Sequence, residues 1–285
     1  MQYTKMHGAG NSFVLIENRN GELGGIDPAE LARLLCGKET GPGADGLVIV
    51  TDAGKEADFG MLFYNADGTR GEMCGNGARC LARYGVEHGL AEDAENIRIL
   101  ATAGLVKARR ITEEQYEVRL NDPSVIDLHR KVFAAGKEYD CAYIELGNPG
   151  IPHAVVEVSA AELEKKEDLR ERGRMLRHSE AFPRGANVTF ACIMGEHAIR
   201  AITFERGVED FTLACGTGCG ATAVSLILRG KIPGNRVEID MPGGHLSVSI
   251  CIDGEGVHDV LLTGPTAVVD RGETALPGRQ TNKEL

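Results

Sequence analysis

Two cysteines stand where an acid or a base could be made. Cys74 lies in MCGNGARC and Cys215 in ACGTGCGA, so each is followed by G-x-G and then an apolar, alanine-rich stretch. Those stretches, ARCLARYGVEHG and GATAVSLILRG, end in glycine as helix C-termini commonly do. Each thiol is therefore expected at the mouth of a glycine-rich helix start. Bare backbone N–H groups and the partial positive charge of the helix favour an anion there, and a substrate α-carboxylate would suit the place. The same field is expected to lower the thiol pKa and favour the thiolate. A thiolate that removes an α-proton, opposed by a thiol that supplies one, would invert an amino-acid carbon. Such a carbon is a very weak acid, so without an electron sink the reaction needs preorganised N–H donors in a site that excludes water. A lone cysteine at a helix start is more often a packing residue; the same residue in two like turns favours chemistry.

The two motifs belong to an internal repeat. Superposing Cys74 on Cys215 requires an offset of 141 residues (215 − 74), and the same offset places Phe63 on Phe204, Asn65 on Arg206 and Pro42 on Pro183. It also lays GPGADGLVIV over FPRGANVTFA. Several elements sharing one offset point to two homologous halves. The elements that must position the cysteines follow from patterning. GLVIV, FGMLFYN, IRILATAG, YEVRL, CAYIEL, HAVVEV, ANVTFACI, AIRAITFE, RVEIDM and HLSVSICI read as short strands bounded by Gly, Pro or Asn. Pro28 to Leu35 reads as a helix with Asp27 as N-cap and Pro at its first position. Ala161 to Arg177 reads as one charged, amphipathic surface helix. The expected fold class is α/β (α+β): two pseudo-symmetric duplicated domains, each a curved, mostly antiparallel sheet around one central helix. The expected boundaries are 1–119 with 262–285 for the first half and 120–261 for the second. The tail after Pro277 reads as loose.

Bulk composition narrows the function class. The 285 residues are 42% hydrophobic and 26% charged, as in an ordinary globular protein. A formal net charge of -11 argues against a nucleic-acid partner, which calls for clustered Lys and Arg. The N-terminus lacks a basic-then-apolar signal pattern and no apolar run reaches the roughly 20 residues of a membrane span, so a cytoplasmic, soluble protein is expected. Eight cysteines in such a chain are expected to be free thiols. Cys80 and Cys219 fall inside the two helices at unmatched positions and read as core; Cys192 and Cys251 read as buried strand residues. No C-x-x-C pair occurs, and Cys74, Cys80, Cys215 and Cys219 have the wrong spacing for a four-cysteine zinc site. A thiol-redox or zinc-binding protein without isomerase activity is the alternative from another class.

KMHGAGNSFVLIE, GPGADGLVIV, LFYNADGTRGEMCGNGARC, IPHAVV, FPRGANVTF, FERGVEDFTLACGTG and LLTGPTAVV occur in this order over nearly the whole chain. With these motifs the sequence resembles the diaminopimelate epimerase family of pyridoxal-independent, two-cysteine amino-acid epimerases. The resemblance implies epimerisation of LL- to meso-diaminopimelate, a step toward lysine and peptidoglycan, with no cofactor and no metal. It implies a small-molecule amino-acid substrate, a homodimer, an active site between the two domains and a first domain completed by the C-terminal strand. It assigns Cys74 and Cys215 as the base and acid, with His153 and Glu205 as auxiliary groups that manage thiol protonation. Backbone around Gly75 and Asn76, and around Gly216 and Thr217, would hold the reacting carboxylate. Asn11, Asn65, Asn187 and Arg206 would hold the distal end; an Arg can grip a carboxylate bidentately. From the residues alone, His153 could equally be a core histidine, Asn11 a turn residue, and Glu205 with Arg206 a surface pair.

The chain departs from the family pattern in two places. It reads GNPGIPHAVV where the family has Asn-Pro-His, so Ile151 stands at the expected Asn and Asn148 lies upstream. Either Asn148 serves the distal pocket or a polar contact has been lost, which would relax or redirect selectivity. Phe211 also stands where an acidic residue is common. A racemase of another amino acid, histidine-type or broad in specificity, is thus the nearest alternative.

Overall fold

In the computed structural model, which describes residues 1–71, 73–134 and 136–274, the chain forms two compact units. Unit 1 is Met1–Tyr116 with the segment that begins at Thr266; unit 2 is Glu117–Pro265. Unit 1 runs β1 (Gln2–Gly8), β2 (Asn11–Asn18), α1 (Pro28–Cys36), β3 (Gly46–Thr51), β4 (Phe59–Asn65), β5 (Arg70–Gly71), α2 (Gly75–Glu87), β6 (Ile97–Ala101) and β7 (Gly104–Arg110). After β8 (Gln115–Arg119), unit 2 runs β9 (Pro123–Ala134), β10 (Lys137–Gly147), β11 (Gly150–Glu157), α3 (Ala160–Leu163), α4 (Lys166–Arg177), β12 (Asn187–Ile193), β13 (Ala198–Phe204) and β14 (Phe211–Thr212). It continues with α5 (Gly216–Leu228), β15 (Arg236–Met241), β16 (Gly244–Asp253) and β17 (Gly256–Pro265), and β18 (Ala267–Glu273) is the last element of the described residues.

The repeat is visible strand by strand. In unit 1, β1 and β2 form an antiparallel hairpin, β2 runs parallel to β3, β3 antiparallel to β4, and β4 pairs with β5 and in parallel with β6, which turns back into β7. Unit 2 repeats this order with β10, β11, β12, β13, β14, β15 and β16. The outer strands match too: β18 lies antiparallel to β1 as β9 does to β10. The duplicated, mostly stranded mixed α/β fold expected from the sequence is what forms.

Each sheet wraps one central helix. Helix α2 packs on β1, β2, β3, β4, β6 and β7, and α5 packs on β9, β10, β11, β12, β15, β16 and β17. Helix α5 is apolar on nearly every side and buried from Gly218 to Ile227, as a helix enclosed by a sheet must be. On the outer face of unit 1, α1 starts at Pro28 with the Asp27 carboxylate accepting from Ala29 N at 3.0 Å, and it buries Leu31 and Leu35 against Val14, Leu47 and Ile49. In unit 2, α3 and α4 bury Leu163, Leu169 and Leu176 on Val188, Phe190 and Phe204.

Three sequence expectations are corrected. The helix expected over Ala161 to Arg177 is two, because Glu164 and Lys165 form a turn after a Ser159–Glu162 capping box. The hairpin β1–β2 and strand β9 do not follow from the patterning; β9 mixes polar and apolar residues without regular alternation and exposes much of its length. Cys251, expected in the core, is exposed near the tip of the β16–β17 hairpin. The tail after Pro277 lies outside the described residues. Among the described residues no helix is long and apolar enough to cross a membrane.

Candidate active site

In unit 1, Cys74 is the N-cap of α2 in an extended conformation, and its side chain makes no capping bond. The first-turn amides of Gly75 and Asn76 therefore follow directly on the thiol. The hairpin β1–β2 brings Asn11 to this point. Its two-residue turn uses positive φ at Ala9 (50°) and Gly10 (79°), as a type I′ hairpin requires. Gly8 lets the hairpin reach the helix, because a Cβ there would meet Asn76 O at 3.0 Å and Cys80 Sγ at 3.3 Å. Asn11 Oδ1 then accepts from Cys74 Sγ at 3.9 Å and from Asn76 Nδ2 at 3.4 Å. Arg79, fully buried, donates to Asn76 Oδ1 at 2.8 Å.

Asp45, which was not singled out in the sequence, orients Asn11. Its Oδ2 accepts from Asn11 Nδ2 at 3.1 Å, Ser12 N at 2.7 Å and Ser12 Oγ at 2.8 Å, so the Asn11 carbonyl is the end turned to the thiol. Its only signal was an acidic residue just before the strand in GPGADG. Asn65 ends β4, is exposed, and donates to Thr69 Oγ1 at 2.9 Å.

In unit 2, Cys215 is the N-cap of α5, again extended and without a capping bond, ahead of Gly216 and Thr217. Gly218 presses the first turn onto the Thr189–Thr203 hydroxyl pair between β12 and β13; a Cβ there would lie 3.1 Å from each hydroxyl and 3.2 Å from Cys215 Cβ. Cys215 Sγ lies 3.8 Å from Thr217 Oγ1 and is hydrogen-bonded to Glu205. Glu205 follows β13, half-buried, and accepts from Thr212 Oγ1 at 2.5 Å. The expectation that the helix start lowers the thiol pKa fails at Cys215. Burial, and then the Glu205 carboxylate, push this thiol well above its usual value, outweighing the Gly218 amide that draws it down. Glu205 is itself pushed up by burial, against hydrogen bonds from Thr212 and Cys215.

The remaining expected residues gather at the start of β12. Asn187 opposes His153 in the parallel ladder of β11 and β12, and its Oδ1 accepts from Arg206 N at 2.8 Å. Arg206 Nη1 donates to Arg184 O at 3.1 Å. His153 is 0% exposed and neither ring nitrogen has a hydrogen-bond partner among the described residues. Burial, then the Arg206 cation, depress its pKa to about 3, so it is neutral. A buried polar ring without partners is uncommon in a core and fits a group that faces a ligand.

The departing residues also find places. Asn148 is exposed in the turn between β10 and β11, where its bond to Pro149 is cis. Ile151 sits two residues before His153, at the start of β11. It is half-buried and pairs with Leu146 across the β10–β11 hairpin. Phe211 packs edge-on against Phe190 and Phe204 at 6.4 and 6.0 Å between centroids, a core role.

The diaminopimelate epimerase family model matches the chain twice, at residues 3–126 and 146–269, one match on each half of the repeat. The chain belongs to the diaminopimelate epimerase family. The diaminopimelate epimerase of Hydrogenobaculum sp. (strain Y04AAS1) is 36% identical over 280 residues, covering 95% of this chain and 98% of that one. The diaminopimelate epimerase of Aquifex aeolicus is 35% identical over 282 residues, covering 95% and 97%. Among solved structures, a probable proline racemase from Agrobacterium radiobacter K84 shares the fold with a TM-score of 0.72 at 19% identity, covering 96% of this chain and 93% of that one.

Proposed function

We propose that the protein epimerises LL-2,6-diaminopimelate to the meso isomer, one of Cys74 and Cys215 removing the Cα proton and the other supplying its replacement from the opposite face. The observation that carries this reading is the duplicated device: in each unit a cysteine stands at the N-cap of the central helix and directly precedes its first-turn amides. Near-full-length identity to diaminopimelate epimerases supports the substrate. The environments suggest unequal resting states. Burial and Glu205 favour Cys215 as the thiol, the proton donor. Cys74, half-buried with its thiol donating to Asn11 Oδ1, then serves as the base once that proton is released. Cys74 takes the Cα proton while Cys215 delivers its own to the opposite face; the protonation states are then exchanged and exchange with water restores them.

The first-turn amides of Gly75, Asn76, Gly216 and Thr217 would receive the α-carboxylate, whose negative charge grows as the Cα proton leaves. Donors of this kind are worth about 3–4 kcal/mol each where they meet developing charge. Glu205 and neutral His153 would manage thiol protonation. Arg206, with Asn11, Asn65 and Asn187, would hold the distal ammonium and carboxylate, and Asn148 would add a contact if its turn folds inward on binding. We also infer a homodimeric cytoplasmic enzyme, which sedimentation at working concentration tests.

Ile151 favours a second reading, a racemase of a different amino acid, because it places an apolar side chain where the family pattern has Asn. Solvent-deuterium exchange at Cα separates the two when LL- and meso-diaminopimelate are run beside single amino acids. Exchange confined to diaminopimelate is expected; exchange confined to another amino acid transfers the reading to it, and none with any substrate in the reduced protein refutes both.

A further inference from the structure

Cys251 is exposed at the hairpin β16–β17, directly opposite His258 in the antiparallel ladder, so their side chains share one face. Asp253, two residues on, falls on the same face. Asp259 would ordinarily point to the other. A β-bulge intervenes, in which Asp259 and Val260 oppose Ile250 alone, and Asp259 takes the first bulge position at φ 49°, a left-handed place that glycine normally fills. The bulge turns the carboxylate of Asp259 back beside His258. As a result Cys251 Sγ, a His258 ring nitrogen and an Asp259 oxygen all lie within 4.8 Å of one another.

The supporting contacts fit a cation between these donors. His258 Nε2 faces Asp253 Oδ2 at 3.0 Å and Nδ1 faces Asp259 Oδ2 at 3.1 Å. A neutral imidazole carries one N–H and can satisfy only one of these oxygens; the other approach needs a proton or a metal ion. Arg119 Nε pairs with Asp259 Oδ1 at 2.7 Å and leaves Oδ2 to the cluster. The backbone of Asp259 is fixed as well, its N–H donating to Asp122 Oδ1 at 2.9 Å.

We propose that Cys251, His258 and Asp259 form a surface site for a borderline divalent transition-metal ion of the zinc type. His258 binds through Nδ1, while Asp253 holds Nε2–H in the carboxylate–histidine–metal arrangement that fixes the ligand's tautomer. Water takes the fourth position. Tetrahedral ligation needs donors about 3.3–3.7 Å apart, so the side chains close by about 1 Å, which rotation at an exposed hairpin allows. Binding releases the Cys251 thiol proton and the proton shared by His258, so affinity rises with pH. The ion would tie together β16, β17 and, through Arg119 and Asp122, the segment that precedes β9.

Cobalt(II) added to a C74S/C215S double variant, which removes the helix-start thiols as competing ligands, tests this. One equivalent is expected to bind with a thiolate-to-cobalt charge-transfer band. Adding C251S should abolish the band, H258N should weaken binding at least tenfold, and D253N should weaken it about tenfold, as loss of an outer partner does. In the unmutated protein, zinc(II) should protect Cys251 from alkylation, read by peptide mass, so the outcome does not depend on any variant folding. No band in the double variant, a band that survives C251S, or alkylation of Cys251 unaffected by zinc would overturn the site.

Discussion

Replacing Glu205 by Gln should make the protein more stable and a worse catalyst. The amide keeps the size of the side chain and can still accept from Thr212. It removes a carboxylate that burial holds above its ordinary pKa. For such a group the stabilising contribution is complete below the unfolded pKa and is lost as pH rises through the folded one. Gln never ionises, so E205Q escapes that loss: its stability should exceed the parent's at pH 8, with the gap shrinking toward pH 4. Catalysis should move the other way, because the Cys215 thiol loses a charged partner. A hydrogen bond to a charged group is worth about 1.5–3 kcal/mol, and at about 1.4 kcal/mol per tenfold this is roughly a 10- to 150-fold fall in kcat. The Cys215 thiol should also become easier to ionise, since the Glu205 charge helps to hold it up. Urea denaturation at the two pH values, steady-state epimerisation, and Cys215 alkylation against pH read the three effects. A variant that is less stable at pH 8 and leaves Cys215 alkylation unchanged would refute the placement of a buried charge against this thiol.

Other perturbations test the positioning. Asp45→Ala removes the acceptor for three hydrogen bonds at an exposed site, so about 1–2 kcal/mol of stability should go, with a larger loss in kcat/KM as Asn11 is freed; Asp45→Asn should restore part of both. Gly218→Ala and Gly220→Ala each crowd α5, the first against the Thr189 and Thr203 hydroxyls and Cys215, the second against Leu120 and Leu146. Each should cost about 1–3 kcal/mol by denaturation, and Gly218→Ala alone should cut kcat beyond its effect on folding. Arg206→Ala should raise KM chiefly for substrates with a distal carboxylate and, by removing a nearby cation, let the depressed His153 pKa rise from about 3, followed by NMR titration.

The two helix-start cysteines were legible because the repeat places the same reactive group on the same local device twice, and local devices survive into the fold. The parallel ladders that set Asn187 beside His153 were only partly legible: the strands could be read, but their register depends on the hairpin turns. The hairpin at Ala9 and Gly10 escaped because a non-glycine residue takes its first positive φ. Cys251 was misread since GHLSVSICID reads as one buried strand, while in the fold its last residues run past the core and are exposed. The direction of the Cys215 pKa was not accessible from sequence. A helix N-terminus lowers a thiol's pKa, but the burial and the Glu205 carboxylate that oppose it are brought to Cys215 only by the fold. Asp45 was hidden for the same reason, since its partners Asn11 and Ser12 lie over thirty residues away.

Removal of the Cα proton by one cysteine and delivery of a different proton by the other has a distinct isotopic signature. LL-diaminopimelate turned over in deuterium oxide, and sampled in the first few per cent of reaction, should give meso product carrying one solvent deuterium at the inverted carbon while the remaining LL substrate stays protiated. Protium retained in the product, or deuterium in the recovered LL substrate at the same rate as turnover, would mean a single group serves both faces and would contradict the assignment of Cys74 and Cys215 as opposed base and acid.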